Sequence, residues 1–226
     1  MDEAMVYLLL IVAGIFSLVA QMKVHAAYSK YSKILNKRGL SGAEVAQDIL
    51  ERNNYDDVSL GVSRGGSLSD HFDPRTKTVN LSPNVYNGKT VAAIAIAAHE
   101  CGHVVQHETG FRALTVRNSL LPAMMVASSL GWVVMALSIY LEMIGLFYVG
   151  VALIGVTAVY HLITLPIERN ASARALAIVN DYGYISEDEK TGVKKVLDAA
   201  ALTYIAAFIM SLLNVLRLLL IARRRD

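Results

Sequence analysis

Two histidines and a glutamate with the spacing of a zinc site stand inside an apolar run of the chain. His99, Glu100 and His103 form a His-Glu-x-x-His pattern within residues 91–105. In an α-helix, two histidines four residues apart lie about 40° from each other around the axis and about 6 Å apart along it, so both imidazoles can reach one ion. Glu100 would then lie beside a zinc-bound water and could take its proton during peptide hydrolysis. The pattern therefore predicts two metal ligands and a general base.

The surrounding residues predict a helix for this pattern. Residues 90–98 are rich in alanine, and Asn87-Gly88 before them favours a turn, so we expect the helix to begin near Lys89. A hydrogen-bonded pair of core histidines is the alternative, but burying two imidazoles and a carboxylate without a metal would be costly. Cys101, the only cysteine, lies about 200° around the helix from each histidine. We expect it to pack as a small apolar residue.

A catalytic zinc needs a third protein ligand and an open fourth position. His107 lies about 12 Å along the helix from His99, too far for both to bind one ion together with His103. A position behind the ligands or in the core suits His107 better. Glu168 is the stronger candidate, although a glutamate at the end of an apolar segment can also be an interfacial charge that merely ends a membrane span.

The residues around position 168 favour the ligand interpretation. Pro166 is typical of a helix entry, and the small residues 171–173 would let that helix pack tightly against the first one. Ser172, one turn after Glu168, is placed to hydrogen-bond a ligand from behind.

The composition is that of a membrane protein. Hydrophobic residues make up 54% of the 226 residues, and the mean hydropathy is +0.43. Four apolar segments approach the length that crosses a bilayer: residues 5–22, 119–141, 144–166 and 202–221. The last is the weakest, since it contains Asn214 and Arg217. Asp2 and Glu3 precede the first segment and its positive charges follow it, unlike a signal peptide, so we expect it to remain as an anchor.

Positive charge predicts the orientation of the chain. Basic residues follow the first segment and precede the second: Lys23, Lys30, Lys33, Lys37, Arg38, Arg112 and Arg117. The positive-inside rule places residues 23–118 in the cytoplasm, and two further spans return residues 166–200 to that side. A fourth full span would put Arg223, Arg224 and Arg225 outside, against the same rule. Therefore either the last segment does not cross the membrane fully, or its basic tail lies on the side opposite to the one that the rule predicts.

The predicted organisation has five segments. They are an N-terminal transmembrane anchor at 1–22, a soluble metallopeptidase portion at 23–118, a transmembrane hairpin at 119–166, a segment with the third ligand at 167–201, and an apolar helix with a basic tail at 202–226. Within the soluble portion, Ser41 and Glu44 have the spacing of a capping box, so a helix should begin there and end near Asn53-Asn54.

Short turn-bounded segments in the soluble portion predict a small antiparallel sheet from residues 58–62, 67–71 and 78–82. An extended substrate could add to the edge formed by 78–82, with Asn80 and Leu81 as contacts, or this could be an ordinary internal strand. Asp70 and His71 could contribute to a second ion site, but such a cluster more often caps a turn, and we favour the cap.

Several motifs occur together, in order, along nearly the whole chain. They are Ser69-Asp70-His71-Phe72-Asp73-Pro74, Val79-Asn80-Leu81-Ser82-Pro83, Ala97-Ala98-His99-Glu100-Cys101-Gly102-His103, Leu165-Pro166-Ile167-Glu168 with Ala171-Ser172, and Ala199-Ala200-Ala201-Leu202-Thr203-Tyr204. This set resembles the YugP-like bacterial membrane zinc metallopeptidases. More distantly, two apolar segments between the histidine motif and the glutamate resemble the HtpX-like and CaaX-processing gluzincin proteases.

The resemblance implies that His99, His103 and Glu168 bind one zinc ion per chain and that Glu100 is the general base. Two positions depart from the pattern. Asn170 stands where the YugP-like proteins favour aspartate, and Ser172 stands where gluzincins usually have aspartate. With His107, these two residues are the candidates for contacts behind the ligands.

The expected protein is mainly α-helical and crosses a bacterial cell membrane several times, with a gluzincin-like pair of zinc helices and a small antiparallel sheet. It would be a zinc-dependent endopeptidase for membrane or membrane-proximal proteins, with its active site at the cytoplasmic face and membrane lipid around its spans. Its physiological substrate and its oligomeric state leave no trace in the sequence.

Two other function classes stay open. A non-catalytic scaffold stabilised by zinc would need a fourth protein ligand, which His71 or His107 would have to supply. A channel or transporter is weaker, since the spans lack paired acidic residues and regular Gly/Pro breaks. The net charge of +2 and the lack of a basic cluster interleaved with aromatic residues argue against nucleic-acid binding.

Overall fold

The computed structural model describes residues 3–223, with the side chain of residue 3 left out. Its elements, in chain order, are α1 (Glu3–Tyr31), α2 (Gly42–Arg52), β1 (Ser59–Val62), β2 (His71–Asp73), β3 (Thr78–Leu81), α3 (Pro83–Tyr86), α4 (Val91–Glu108), α5 (Arg112–Tyr140), α6 (Ile144–Asp181) and α7 (Glu187–Arg223). Asp2, Arg224 and Arg225, on which two predictions about charge depended, lie outside the described residues.

Four of these helices, α1, α5, α6 and α7, are long and apolar enough to cross a membrane. Helices α1, α6 and α7 each contain one of the four apolar segments that the sequence indicated, and α5 contains all but the last residue of the segment 119–141. An α-helix satisfies its backbone hydrogen bonds within one segment, which is why apolar sequences of this length adopt it in lipid. The prediction of a mainly α-helical, multi-pass membrane protein is confirmed.

The chain forms two compact units. Within the described residues, the first contains 3–21, 112–167 and 202–223, and the second contains 22–111 and 168–201. In the first unit, α5 and α6 approach closely at glycines. A Cβ atom on Gly131 would lie 2.7 Å from Cγ1 of Ile154 and 3.2 Å from the carbonyl oxygen of Gly150. Small residues at such crossings let helix backbones pack closely in lipid.

The second unit has the larger core, built around α4. This helix begins at Thr90, whose hydroxyl accepts a hydrogen bond from the Ala93 amide at 3.2 Å. Most of α4 is buried, including Ile94 and Val104, which are 0% exposed. The helix is therefore surrounded by protein, and its polar residues must find partners there.

Helix α2 begins with the capping box that the sequence predicts. The Ser41 hydroxyl accepts from the Glu44 amide at 3.2 Å, and the Glu44 carboxylate accepts from the Ser41 amide at 2.6 Å. The helix ends at Arg52, with Asn53 as its C-terminal cap. Both predicted ends are confirmed, because these local signals act within one turn.

The sheet is mixed, in the order β1-β3-β2. β2 pairs antiparallel with β3, as predicted, but β1 pairs parallel with β3. The prediction of a wholly antiparallel sheet was wrong because β3 lies between the two earlier strands instead of beside β2 alone. The middle strand has no free edge, so the prediction that a substrate adds to 78–82 through Asn80 and Leu81 was also wrong. Leu81 is 0% exposed, and the internal-strand alternative is confirmed.

Pro166 lies inside α6, not at a helix entry. The apolar segment 144–166 and the segment that carries Glu168 form one helix of 38 residues. Proline removes one backbone donor and clashes with the preceding turn, but long helices in apolar surroundings tolerate it. That tolerance is why the predicted break does not occur.

Candidate metal centre

Helix α4 presents His99 and His103 on the same side, one turn apart. Their ring centroids are 4.9 Å apart, with the rings nearly perpendicular. Both side chains are mostly buried, with 14% and 13% of their surface exposed. The helix therefore brings two imidazole edges to one point, as the four-residue spacing requires.

Glu168, from α6, completes a group of three. Its Oε2 atom lies 3.3 Å from Nε2 of His99 and 3.6 Å from Nε2 of His103, and the ligand atoms of the three residues lie within 4.8 Å of one another. Zinc bonds of about 2.0–2.2 Å put neighbouring tetrahedral ligands about 3.4 Å apart. The two nitrogen–oxygen distances fit that value, so these residues suit a zinc ion. Among residues 3–223, no other group of three has such convergence.

The burial of Glu168 strengthens the case for a cation. The residue is 3% exposed, and a buried carboxylate is unfavourable without positive charge or several hydrogen-bond donors near it. That charge comes either from protonated histidine, since burial lowers the pKa of His103 but Glu168 and Glu100 raise it overall, or from a divalent ion bound between the three side chains.

Glu100 is buried directly beside the first ligand. It is 7% exposed, and burial raises the pKa of its carboxyl group, while His99 and His103 lower it and Glu168 and Asp70 add to the rise. A carboxylate whose pKa is raised holds a proton more readily than an exposed one. Glu100 thus has the property that a proton acceptor and donor at a metal site needs.

Ser172 lies behind the first ligand. Its hydroxyl is 3.3 Å from Nδ1 of His99, on the ring nitrogen opposite the one that faces Glu168. A partner on Nδ1 orients the ring and leaves Nε2 toward the ion. Ser172 is four positions after Glu168, so one helical face carries both the ligand and this contact.

A longer chain of contacts lies behind the second ligand. Nδ1 of His103 is 3.0 Å from Oε1 of Gln106, and Nε2 of Gln106 donates to Oδ1 of Asn170 at 3.0 Å. The same oxygen accepts from Nε of Arg174 at 2.8 Å. Gln106 is 0% exposed. The sequence analysis did not assign this role to Gln106 or Arg174, although their spacings, three after His103 and four after Asn170, place each pair on one helical face.

His107 lies apart from this group. Its Nε2 atom is 3.9 Å from Glu108, and its ring packs against that of Phe72, with centroids 5.6 Å apart. One third of its side chain is exposed. The sequence analysis considered His107 for a position behind the ligands. Gln106 occupies that position instead, because His107 lies a further 100° around α4.

The cluster around Asp70 caps turns. Asp70 accepts from the backbone amide of Ser82 at 2.7 Å, Asp73 accepts from the amide of Arg75 at 2.9 Å, and Nδ1 of His71 lies 2.9 Å from the carbonyl oxygen of Ser69. The preferred interpretation of this motif is confirmed. Cys101 also packs as predicted: it is 0% exposed, its Sγ atom lies 3.8 Å from the carbonyl oxygen of Ala46, and burial raises the pKa of its thiol.

Comparison with known proteins agrees with this centre. A family described as "Putative neutral zinc metallopeptidase" matches residues 6–223. The chain is 40% identical over 218 residues, which is 96% of each of the two chains, to a protein of Bacillus subtilis (strain 168) named "Putative membrane protease YugP". No solved structure matches the chain.

Proposed function

The chain belongs to the family described as "Putative neutral zinc metallopeptidase", and on that premise we propose that it is a membrane-embedded endopeptidase. Its substrates would be membrane or membrane-proximal proteins, hydrolysed at peptide bonds with one zinc ion per chain. The observation that carries the proposal is the convergence of Nε2 of His99, Nε2 of His103 and Oε2 of Glu168, with Glu100 next to the first of them.

Each residue has a separate task in the proposed reaction. Zinc, when bound by the three ligands, supplies the positive charge that polarises the attacking water and the scissile carbonyl. Glu100 takes a proton from the attacking water and passes it to the leaving amine. Ser172 and Gln106 hold the two histidine rings in the orientation that ligation requires.

The ligand count favours catalysis over a scaffold role. A structural zinc site is closed by four protein ligands, whereas a catalytic one has three and an open position. Only three ligands converge in the part of the chain that the structure describes. The two histidines considered for a fourth ligand contact other groups: His71 lies beside Ser69 and Asn80, and His107 beside Phe72 and Glu108.

We also propose that the site faces the cytoplasm of a bacterial cell. The four apolar helices and the relationship to a membrane protease support a membrane location. The basic residues on either side of the segment 23–118 support the cytoplasmic face. The three ligands and Glu100 belong to the unit formed by 22–111 and 168–201.

Glu100→Gln separates metal binding from chemistry. Glutamine has nearly the same shape but cannot accept the proton, so we expect about one zinc per chain, as in the wild type, and cleavage of casein or a membrane protein reduced by about 10²–10⁴-fold. Elemental analysis and a gel-based cleavage assay on the detergent-solubilised chain measure the two quantities.

Glu108→Gln is the matched control, because it removes a carboxylate from the same helix that pairs with Lys77 at 3.2 Å. It should retain both zinc and cleavage. Absence of zinc from the purified wild type, or undiminished cleavage by Glu100→Gln, would contradict the proposed function.

A further inference from the structure

The contacts behind His103 begin at an arginine. We propose that Arg174 is a positioning residue of the metal centre, which fixes the tautomer of His103 through Asn170 and Gln106. The inference rests on the proposed function in one respect, since it takes His103 as a zinc ligand. The inference assigns a role at the metal centre to a residue that contacts neither metal nor substrate.

The contacts form an unbroken path between two helices. Nε of Arg174 is 2.8 Å from Oδ1 of Asn170, Asn170 is 3.0 Å from the amide of Gln106, and Gln106 is 3.0 Å from Nδ1 of His103. Arg174 and Asn170 are four residues apart on α6, and Gln106 and His103 are three apart on α4. The path therefore joins the helix of the third ligand to the helix of the other two.

Arg174 sets the polarity of this path at its first contact. A guanidinium group has only donors, so the atom of Asn170 that meets it must be the carbonyl oxygen. That oxygen accepts, so the atom of Gln106 that meets it must be the amide nitrogen. The other end of the Gln106 amide is then its carbonyl oxygen, which faces His103 and requires a proton on Nδ1.

A zinc ion bound through Nε2 requires that the proton of the neutral ring be on Nδ1, the atom that faces Gln106. Nε2 is the atom of His103 that faces Glu168 at 3.6 Å. The path therefore fixes the proton on Nδ1, which zinc binding at Nε2 does not displace, whether or not Nε2 shares a second proton with Glu168 before zinc binds. Without the arginine, this path no longer fixes the Asn170 amide, and a 180° turn of both amides would offer the nitrogen of Gln106 to an unprotonated Nδ1.

The two histidines differ in this respect. Ser172, behind His99, has a hydroxyl that can donate or accept, so its contact with Nδ1 at 3.3 Å does not select a tautomer. Selection at His103 is therefore the specific contribution of Arg174, and loss of the arginine should change His103 without changing His99.

The test uses the full chain labelled with ¹⁵N-histidine in detergent micelles, with metal removed. Long-range ¹H–¹⁵N spectra distinguish a proton on Nδ1 from one on Nε2, and competition with a chromophoric chelator gives the zinc affinity. In Arg174→Gln we expect a mixture of tautomers at His103 and zinc binding weakened by about 10–100-fold, as for other contacts behind metal ligands.

Three further variants make the test specific. Arg174→Lys still offers only donors and should restore the Nδ1-protonated form, whereas Arg169→Gln, which removes an exposed arginine from the same helix, should leave both readouts unchanged. Asn170→Asp places an acceptor-only group between Arg174 and Gln106, so it should keep the wild-type tautomer. If Arg174→Gln does not fold, loss of the Nδ1 proton in Asn170→Asp would still overturn the inference.

The inference is overturned if wild type and Arg174→Gln share one tautomer at His103 and one zinc affinity, or if Asn170→Asp loses the proton on Nδ1. A wild-type chain that binds no zinc but shows the expected tautomers would instead count against the proposed function. The two failures are thus distinguishable.

Discussion

Gly102 of α4 lies against the backbone of Ala171 of α6. A Cβ atom at Gly102 would be 2.7 Å from the carbonyl oxygen of Ala171 and 3.3 Å from its Cα atom. Gly102 directly precedes the ligand His103, and Ala171 comes three residues after Glu168. This close contact of the two helices is therefore within one turn of the ligands, so a change in the helix separation here would change the distances between ligand atoms.

Gly102→Ala should loosen this contact. The added methyl group meets backbone atoms that cannot turn away, so the helices must separate, at a cost of about 1–3 kcal/mol in stability. We also expect weaker zinc binding, because Glu168 would move away from both histidines. Thermal unfolding in detergent and chelator competition measure the two effects.

Gly155→Ala provides the comparison, since nothing lies within 4 Å of a Cβ atom at that position of α6. It should unfold at the wild-type temperature or slightly above it, because alanine favours helix. Equal melting temperatures for Gly102→Ala and Gly155→Ala would show that the helices can adjust without cost.

Glu168→Gln should abolish tight zinc binding. An amide oxygen is a much poorer zinc ligand than a carboxylate, and the two histidines alone leave half of the coordination positions without protein. We expect the zinc affinity to fall by at least about 100-fold, measured by elemental analysis after dialysis against a weak chelator. His107→Asn, which alters the histidine beside Phe72, should keep its zinc. Loss of zinc from His107→Asn would mean that the ligand set differs from the one proposed.

Asp70 should make the stability of the protein fall as the pH rises. Burial raises the pKa of Asp70 despite hydrogen bonds from Ser82, which lower it. The folded chain then binds the proton more tightly than the unfolded chain, so its contribution to stability is greatest below the ordinary aspartate pKa of 3.8 and is lost as the pH rises through the raised value. Asp70→Asn should remove this loss, so the variant should gain melting temperature relative to wild type between pH 4 and pH 7.

Asp73 offers the opposite case in the same segment. The hydrogen bond from the Arg75 amide lowers the pKa of Asp73, so its contribution is present above the ordinary pKa and is lost as the pH falls. Asp73→Asn should therefore lose stability relative to wild type as the pH is raised over the same range. Parallel pH curves for the two variants would refute both assignments.

The cytoplasmic location of the site can be tested with single cysteines. Cys101 is buried and should not react with a membrane-impermeant maleimide. Arg75→Cys places an exposed thiol in the segment 23–118, and Leu141→Cys places one between α5 and α6. In intact cells we expect labelling of Leu141→Cys only, and labelling of both after permeabilisation. The reverse pattern would put the metal centre on the outer face.

Local sequence patterns predicted the features that depend on a single continuous stretch of the chain. The spacing of His99 and His103, the capping box of Ser41 and Glu44, and the four apolar segments each act within a few turns, so the sequence alone indicated them. Gln106 was within reach of the same reasoning, because it lies three residues after His103. It was overlooked because a glutamine among apolar residues has no distinctive chemistry until its partner is known.

The rest depends on contacts between distant parts of the chain. The pairing of Gln106 with Asn170 joins positions 64 residues apart, and no periodicity encodes it. The strand order was equally hidden, because the connection between β1 and β2 is long enough for β3 to enter between them. Pro166 illustrates a third limit. Whether a proline ends a helix or lies inside it depends on the surroundings of that helix, which the local sequence does not specify.

The sequence separation of the ligands has a consequence for the synthesis of the protein. His99 and Glu168 are 69 positions apart, and α5 and the first part of α6 lie between them. A ribosome that has completed α4 has made both histidines and Glu100 but not the third ligand. For the proposed peptidase, a nascent chain therefore cannot assemble the complete ligand set until both intervening apolar stretches have been translated, so the order of translation itself delays the onset of proteolysis.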